Sequence, residues 1–196
     1  MPQDFTDTEY IKNLTTRMQE LLPEKRFAHS LGVQETAIKL AKHWGADENK
    51  ASIAGLVHDC CKMLTLEEGK AIADKYNLVL DEISRNSRGL MHAPLGAAYA
   101  QHEFGIDDEE VLCAIRYHTT GKPDMTVLEK IIYVADYIEP TRKDYPWLEP
   151  LRVLAYENLN AAVLYGLDVS IAYVEDRNEP VDIITVEARN YYDRNH

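Results

Sequence analysis

Residues 126–140 read TVLEKIIYVADYIEP. Apolar side chains line one face at helical spacing, and Pro140 closes the run because the residue before a proline is pushed out of the helical region. The stretch predicts a helix buried on one side. Asp136 interrupts it among neighbours that favour burial. A carboxylate in such a place must be paired or coordinated, since an isolated buried charge is costly.

Working outward, the helical pattern recurs. EKRFAHSLGVQETAIKLAKHWG (24–45) sets Phe27, Leu31, Ile38, Ala41 and Trp44 near helical spacing, with Gly45 as a stop. DENKASIAGLVHDCCKML (47–64) begins at an aspartate N-cap and carries Ile53, Leu56 and Val57 toward a core, yet holds His58 and Asp59 side by side. HAPLGAAYAQHEFG (92–105) has Pro94 near a helix start and Gly105 past its end. DDEEVLCAIRYHT (107–119) opens with acids where the helix dipole favours them. One amphipathic helix is expected from Leu148 to about Val174, and a short one from about Val181 to Tyr192. EPTRKDYPWLEP (139–150) is the most loop-like stretch. Clean strand-like alternation is nearly absent, so the expected fold is all-α, a multi-helix bundle. It is read as an N-terminal helical extension (1–20), a core (21–142), and C-terminal helices (143–196) packing on that core within one domain.

The 196 residues are 45% hydrophobic, enough for a substantial core. Thirty-three acidic residues against 21 basic ones give a net charge of -12, which disfavours a nucleic-acid partner. A phosphorylated small molecule stays open, because a few local cations or a metal overcome the global field. Cys60, Cys61 and Cys113 are too few for a disulfide framework and are expected as small buried side chains. MPQDFTDTEYIKNL at the N-terminus lacks signal-peptide features, and no apolar run approaches a membrane span. The expected location is the cytoplasm, with no membrane partner.

Histidines and acids break the apolar faces at His29, His58-Asp59, His92, His118 and Asp136, each on a different expected helix or at its end. Singly, each has a bland explanation: a hydrogen-bonded core histidine, or an internal cap. His43, His102 and His196 read as surface residues without a role. Together the five interruptions match the way bundles build metal sites, from inward side chains on facing helices. Imidazole with carboxylate suits Fe, Mn, Co, Ni or Zn rather than Ca or Mg. Four imidazoles and two carboxylates exceed the need of one metal with an open position, whereas two metals sharing a carboxylate and a water would use them all.

The series His29, then His58-Asp59, then Asp136 resembles the H…HD…D signature of the HD-domain superfamily of metal-dependent phosphohydrolases, over roughly residues 20–142. RFAHSLGV, HDCCK, MHAPLGA, IRYHTTG and VADYIEPTR are similar to the bacterial YqeK-like symmetrical bis(5'-nucleosyl)-tetraphosphatases, which cut diadenosine tetraphosphate into two ADP. The Cys60-Cys61 pair departs from that family's small or aliphatic residues. The resemblance implies an HD-domain bundle, a homodimer, a small-molecule nucleotide substrate, and one or two divalent transition metals, iron first with Mn, Co or Ni as alternatives. It implies that His29, His58, Asp59 and Asp136 hold one metal while His92, His118 and a shared Asp59 hold the second. If only one metal binds, His92 and His118 contact phosphate instead. Asp59, His92 and His118 then carry the catalysis, a metal-bound hydroxide attacking a central phosphorus.

Cations must hold a polyphosphate within an acidic chain. Arg26 lies three residues before His29, Lys62 four after His58, and Arg142 just past the Asp136 helix; Thr119 follows His118 and offers a hydroxyl. With His92, His118 and Asp136 they form the expected substrate-binding set. Arg88 and Gly89 in NSRGLMH (86–92) are candidate substrate-loop residues, and Tyr117 or Tyr137 a candidate stacking surface. No Gly-rich phosphate loop is present. Competing readings are another HD phosphohydrolase (a deoxynucleotidase or guanosine tetraphosphate hydrolase), a non-catalytic nucleotide or metal sensor, and a structural helical adaptor.

Overall fold

The computed structural model describes residues 5–143 and 145–195, and these contain eleven α-helices and no strand. His196 lies outside the described residues. In chain order the helices are α1 (Thr8–Leu21), α2 (Glu24–Trp44), α3 (Glu48–Val57), α4 (Leu66–Lys75), α5 (Glu82–Asn86) and α6 (Arg88–Phe104). They continue with α7 (Glu109–Tyr117), α8 (Val127–Ile138), α9 (Leu148–Glu157), α10 (Leu159–Asp176) and α11 (Ile183–Arg194).

Local chemistry sets most of these ends. The side chains of Asp7, Asp47, Asp108 and Asp182 each accept a hydrogen bond from first-turn backbone N–H groups. Thr65 with Glu68, and Thr126 with Glu129, close reciprocal capping boxes at α4 and α8. Gly45 and Gly105 end α2 and α6 in the left-handed conformation, both at φ 71°.

At the centre α8 packs against α2, α3 and α7, and buries Leu128, Ile131, Ile132, Val134 and Ala135. Helix α6 packs on α7 and carries α4 and α5 on its outer side, while α9 and α10 lean on α8 and α11 on α10. Helix α1 inserts Leu14 and Met18 into the same core and contacts α2 and α3. Helix α11 is tied back by the Tyr192 hydroxyl, which accepts from the Met125 backbone N–H at 3.0 Å, just before α8. No helix among the described residues is long and apolar enough to cross a membrane.

The expected helices are shifted in four places. The run from Leu148 to about Val174 is two helices, because Asn158 adopts φ -153°, ψ 100° and its side chain caps α10 by accepting from Ala161 N–H. Short polar side chains compete for backbone groups in this way. The helix over 47–64 stops at Val57, and residues 58–63 form consecutive turns. Helix α6 begins at Arg88, so Pro94 lies inside it rather than at its start. Helices α4 and α5, absent from the sequence expectation, are short; α4 holds Gly69 mid-helix, a poor helix former that gives room to the Met91 sulfur of α6.

Helices α2 and α3 approach closely at Gly55, where an added Cβ would stand 2.9 Å from Gln34 Cα and 3.2 Å from the Val33 carbonyl oxygen. Both neighbours are backbone and cannot rotate away. Gly55→Ala is therefore expected to destabilise the fold by about 1–3 kcal/mol despite the better helix propensity of alanine. Thermal unfolding checks this, and an unchanged or raised Tm would contradict the tight approach.

Candidate metal centre

The six candidate ligands are delivered by five different stretches of the bundle. His29 is on α2, and His92 is in the second turn of α6. His58 and His118 are the residues that follow the last turns of α3 and α7, Asp59 comes next in the turn, and Asp136 is in the last turn of α8. All are buried except Asp136, whose side chain keeps 18% exposure and forms the open side of the cluster.

Hydrogen bonds to Nδ1 fix how three of the imidazoles face. His58 and His118 each donate Nδ1–H to the carbonyl three residues back, Gly55 and Ile115, both at 2.7 Å. His29 donates Nδ1–H to Glu139 Oε1 at 3.0 Å. The Nε2 lone pair of each is then left free for a ligand. Asp59 sits between two imidazole pairs. Its Oδ2 is 3.8 Å from His29 Nε2 and 3.6 Å from His58 Nε2. Its Oδ1 is 3.3 Å from His92 Nε2 and 3.5 Å from His118 Nε2. Asp136 Oδ1 joins the first pair, 3.0 Å from His29 Nε2 and 3.9 Å from His58 Nε2.

This arrangement fits a metal. His29 Nε2, His58 Nε2 and Asp59 Oδ1 are buried polar atoms without a hydrogen-bond partner. The Nε2 atoms of His92 and His118 lie 3.0 Å apart. Lone pairs and carboxylate oxygens gathered this closely repel one another unless a cation stands among them. Burial lowers the His58 pKa to about 4, and burial together with Lys62 does the same for His92, so both rings are neutral donors at pH 7. Burial pushes Asp59 and Asp136 up, but the surrounding imidazoles with Lys62 for Asp59, and His29 with Arg142 for Asp136, hold both well below the usual carboxylate range. Imidazole plus carboxylate is the donor set of a divalent transition metal.

Residues 26–141 match the family model of the HD domain. The chain belongs to the HD-domain family. It is 43% identical over 164 residues to a Bacillus subtilis protein named bis(5'-nucleosyl)-tetraphosphatase, symmetrical, covering 84% of this chain and 87% of that one. A Staphylococcus aureus protein of the same name is 42% identical over 176 residues, 89% of this chain and 90% of the relative. A solved structure from Clostridium acetobutylicum, described as an HD superfamily hydrolase involved in NAD metabolism, has a TM-score of 0.90 at 43% identity over 94% of this chain and 97% of that one.

Around the HD centre the structure brings in each expected polar partner. Arg26 donates Nη1–H to Asp59 Oδ2 at 2.8 Å, from the same face of α2 as His29. Arg142 donates to Asp136 Oδ1 at 2.5 Å and to the Asp136 carbonyl at 2.7 Å. Lys62 Nζ and Thr119 Oγ1 each lie 3.1 Å from His92 Nε2. The reason for Lys62 differs from the expected helical spacing: α3 has already ended, and the turn closed by Lys62 N–H to the Asp59 carbonyl at 2.9 Å swings it inward. Arg88 is committed to the Leu64 carbonyl at 2.9 Å, whereas Gly89 lines a cavity beside the centre. Of the two tyrosines, Tyr137 lines that cavity, and Tyr117 packs under Lys122. Cys60 and Cys61 are buried, with Cys60 Sγ against the Gly96 carbonyl, but Cys113 is only partly buried, beside Glu109 on the outer face of α7. His43 bonds the Tyr156 carbonyl and His102 stacks on Tyr76, away from the centre.

Two cavities open from the centre. The smaller, about 620 Å³, reaches His29 and Arg26, and the larger, about 1070 Å³, reaches His118, Asp136 and Lys62. Arg142 and Tyr145 line both.

Glu139 is a buried neighbour of the centre that the sequence pattern does not single out. It is 1% exposed, accepts from His29 Nδ1, and is itself held by the Thr141 N–H at 2.6 Å and the Thr141 hydroxyl at 2.7 Å. Its signal was the spacing of three after Asp136, which returns an acid to the same helix face. Gly32 makes room for it: an added Cβ would lie 2.5 Å from Glu139 Oε2. Losing such an outer hydrogen bond typically costs 10–100-fold in metal affinity, so Glu139→Gln and Gly32→Ala are each expected to weaken metal retention by roughly that factor. Metal content after dialysis against graded chelator measures it, and wild-type retention in both variants would remove Glu139 from the orienting role.

Proton linkage supplies a second expectation, for chelator-treated protein. Because His58 and His92 titrate near 4 when folded and near 6.5 when unfolded, the unfolded chain takes up protons first as pH falls from 6.5 to 4. Each imidazole then withdraws roughly 3 kcal/mol of stability over that window. His29 opposes them: burial lowers its pKa, but the neighbouring carboxylates of Asp136 and Glu139 raise it more, so its contribution is present at low pH and lost as pH rises. Asp59 and Asp136, held well below the usual carboxylate range, act only once the pH falls through that range. Urea unfolding at pH 7 and pH 4.5 is expected to show a net loss of a few kcal/mol at the lower pH; equal stability would contradict neutral burial of these rings.

Proposed function

We propose that this HD-domain protein is a metal-dependent symmetrical bis(5'-nucleosyl)-tetraphosphatase, hydrolysing diadenosine tetraphosphate to two ADP. The observation that carries the reading is Asp59, whose two oxygens face two different imidazole pairs in a chain whose relatives bear that enzyme's name. His29, His58, Asp59 and Asp136 would hold one ion, and His92, His118 and Asp59 the second. Iron is taken as the resident metal, with Mn, Co or Ni able to use the same donors. When bound, such cations supply Lewis acidity to phosphoryl oxygens and acidify water at the centre.

The chain's own side chains do the rest. Arg26 and Arg142, partnered to Asp59 and Asp136, turn their remaining donors toward the phosphoryl oxygens of the bridge. Lys62 and Thr119 meet at His92 and place a positive charge and a hydroxyl donor beside the same bridge. A water oxygen bonds to one central phosphorus, the bond from that phosphorus to the central bridging oxygen breaks, and ADP departs with that oxygen as the water's proton is released. Charge stabilisation around the phosphoryl group supplies most of the rate in such transfers. The reading includes a homodimer located in the cytoplasm.

Incubation of the metal-loaded protein with diadenosine tetraphosphate is expected to yield ADP as sole product. ATP with AMP would contradict the symmetrical register. Asp136→Ala is expected to lose turnover by at least about a hundredfold, since one ligand and the Arg142 anchor go together. Near-wild-type turnover in that variant would sink the assignment of the centre.

A further inference from the structure

The four imidazoles of the centre are not held alike. His29, His58 and His118 each meet an acceptor at Nδ1, from Glu139, Gly55 and Ile115. His92 Nδ1 is buried and has no hydrogen-bond partner among the described residues. Its Nε2 is crowded instead: Lys62 Nζ and Thr119 Oγ1 each stand 3.1 Å away, and His118 Nε2 stands 3.0 Å away.

An ammonium has three donors and no acceptor, so its contact with His92 is attractive only where the Nε2 lone pair faces it. That lone pair is the one His92 would give to an ion beside His118 and Asp59, and the nitrogen has no other to offer. Arg26 and Arg142 do not compete in this way. They bond to Asp59 and Asp136, and a carboxylate has about four lone-pair sites, enough to hold a guanidinium and an ion together. The carboxylates are shared unequally as well. Asp59 Oδ2 and Asp136 Oδ1 both face the pair of His29 and His58. Among the described residues, Asp59 Oδ1 alone faces both His92 and His118 at ion-pair distance.

From these differences we infer that the two ions are held with unequal strength. The ion at His29, His58, Asp59 and Asp136 is retained, and the ion at His92, His118 and Asp59 exchanges with the surroundings, with Lys62 as the cation that competes for His92. The inference rests on the two-ion part of the proposed function and adds that full loading follows the free concentration of the metal. Lys62 is thus a positioning residue whose ammonium leaves the His92 lone pair when the second ion is bound and returns when it is lost.

The test titrates manganese(II) into chelator-treated protein. Equilibrium dialysis with plasma mass spectrometry counts bound ions, and electron paramagnetic resonance shows whether they are magnetically coupled. Expected is one isolated ion first and a second bound roughly 10–100-fold more weakly, the usual effect of a missing outer hydrogen bond on a ligand. Coupling appears only with the second ion. His92→Ala is expected to keep the tight ion, lose the weak one and stay uncoupled. Lys62→Met removes the charge and keeps most of the stem's packing, so it is expected to tighten the second ion about tenfold and leave the first unchanged. Retention of the tight ion shows that each variant is folded. Entry of two ions in one step, loss of the tight ion from His92→Ala, or a second ion no tighter in Lys62→Met would overturn this inference and leave the tetraphosphatase reading standing. Failure to bind a second ion at millimolar manganese would bring down the two-ion reading and this inference with it.

Discussion

A carboxylate buried to 2% exposure among four imidazoles is the constraint around which the bundle is arranged. Asp59 cannot be left there without positive charge, and an apolar neighbour in place of any partner would leave it stranded. The helices meet this demand with their ends. Helices α3 and α7 stop so that His58 and His118 can turn back and donate to their own last carbonyls, and α8 stops with Asp136 and Glu139 on one face. The same hydrogen bonds satisfy orphan helix carbonyls and choose the tautomer of each ring. Secondary structure and ligand geometry are thus settled by one set of contacts.

The acidic character of the chain sharpens the contrast at the centre. Against a net charge of -12, Arg26, Lys62 and Arg142 converge on the same few ångströms, each already engaged with a carboxylate or with His92. A local cluster of this kind is positive over short range while the net charge of the chain is negative, so an anion is favoured at the cleft. Arg26 and Arg142 are the side chains that neutralise Asp59 and Asp136.

Much of this was legible in the sequence because it rests on local signals. Asp136 in an apolar helix, the aspartate caps and the two glycine stops all announce themselves within a few residues, and the all-α fold follows from them. The six candidate ligands were legible as interruptions, since a polar residue on a buried face needs a reason. Less visible were features decided by tertiary packing. Asn158 splits a continuous apolar pattern because its side chain caps a new helix, and periodicity has no term for that competition. Lys62 reaches His92 through a turn rather than a helix, so its proximity to the centre was anticipated on the wrong geometry. Glu139 is enclosed by Gly32 and His29, contacts that no local pattern announces. The aromatic and acidic walls of the larger cavity come from residues 136 to 182, and only folding places them together.

The central claim is that Asp59 is shared between two ligand groups. Counting iron per chain after anaerobic loading, by plasma mass spectrometry, in the wild type and in Asp59→Ala tests it most directly. The account expects about two ions per wild-type chain and the loss of both from the variant. A single ion in the wild type, or a count that Asp59→Ala leaves unchanged, would contradict it.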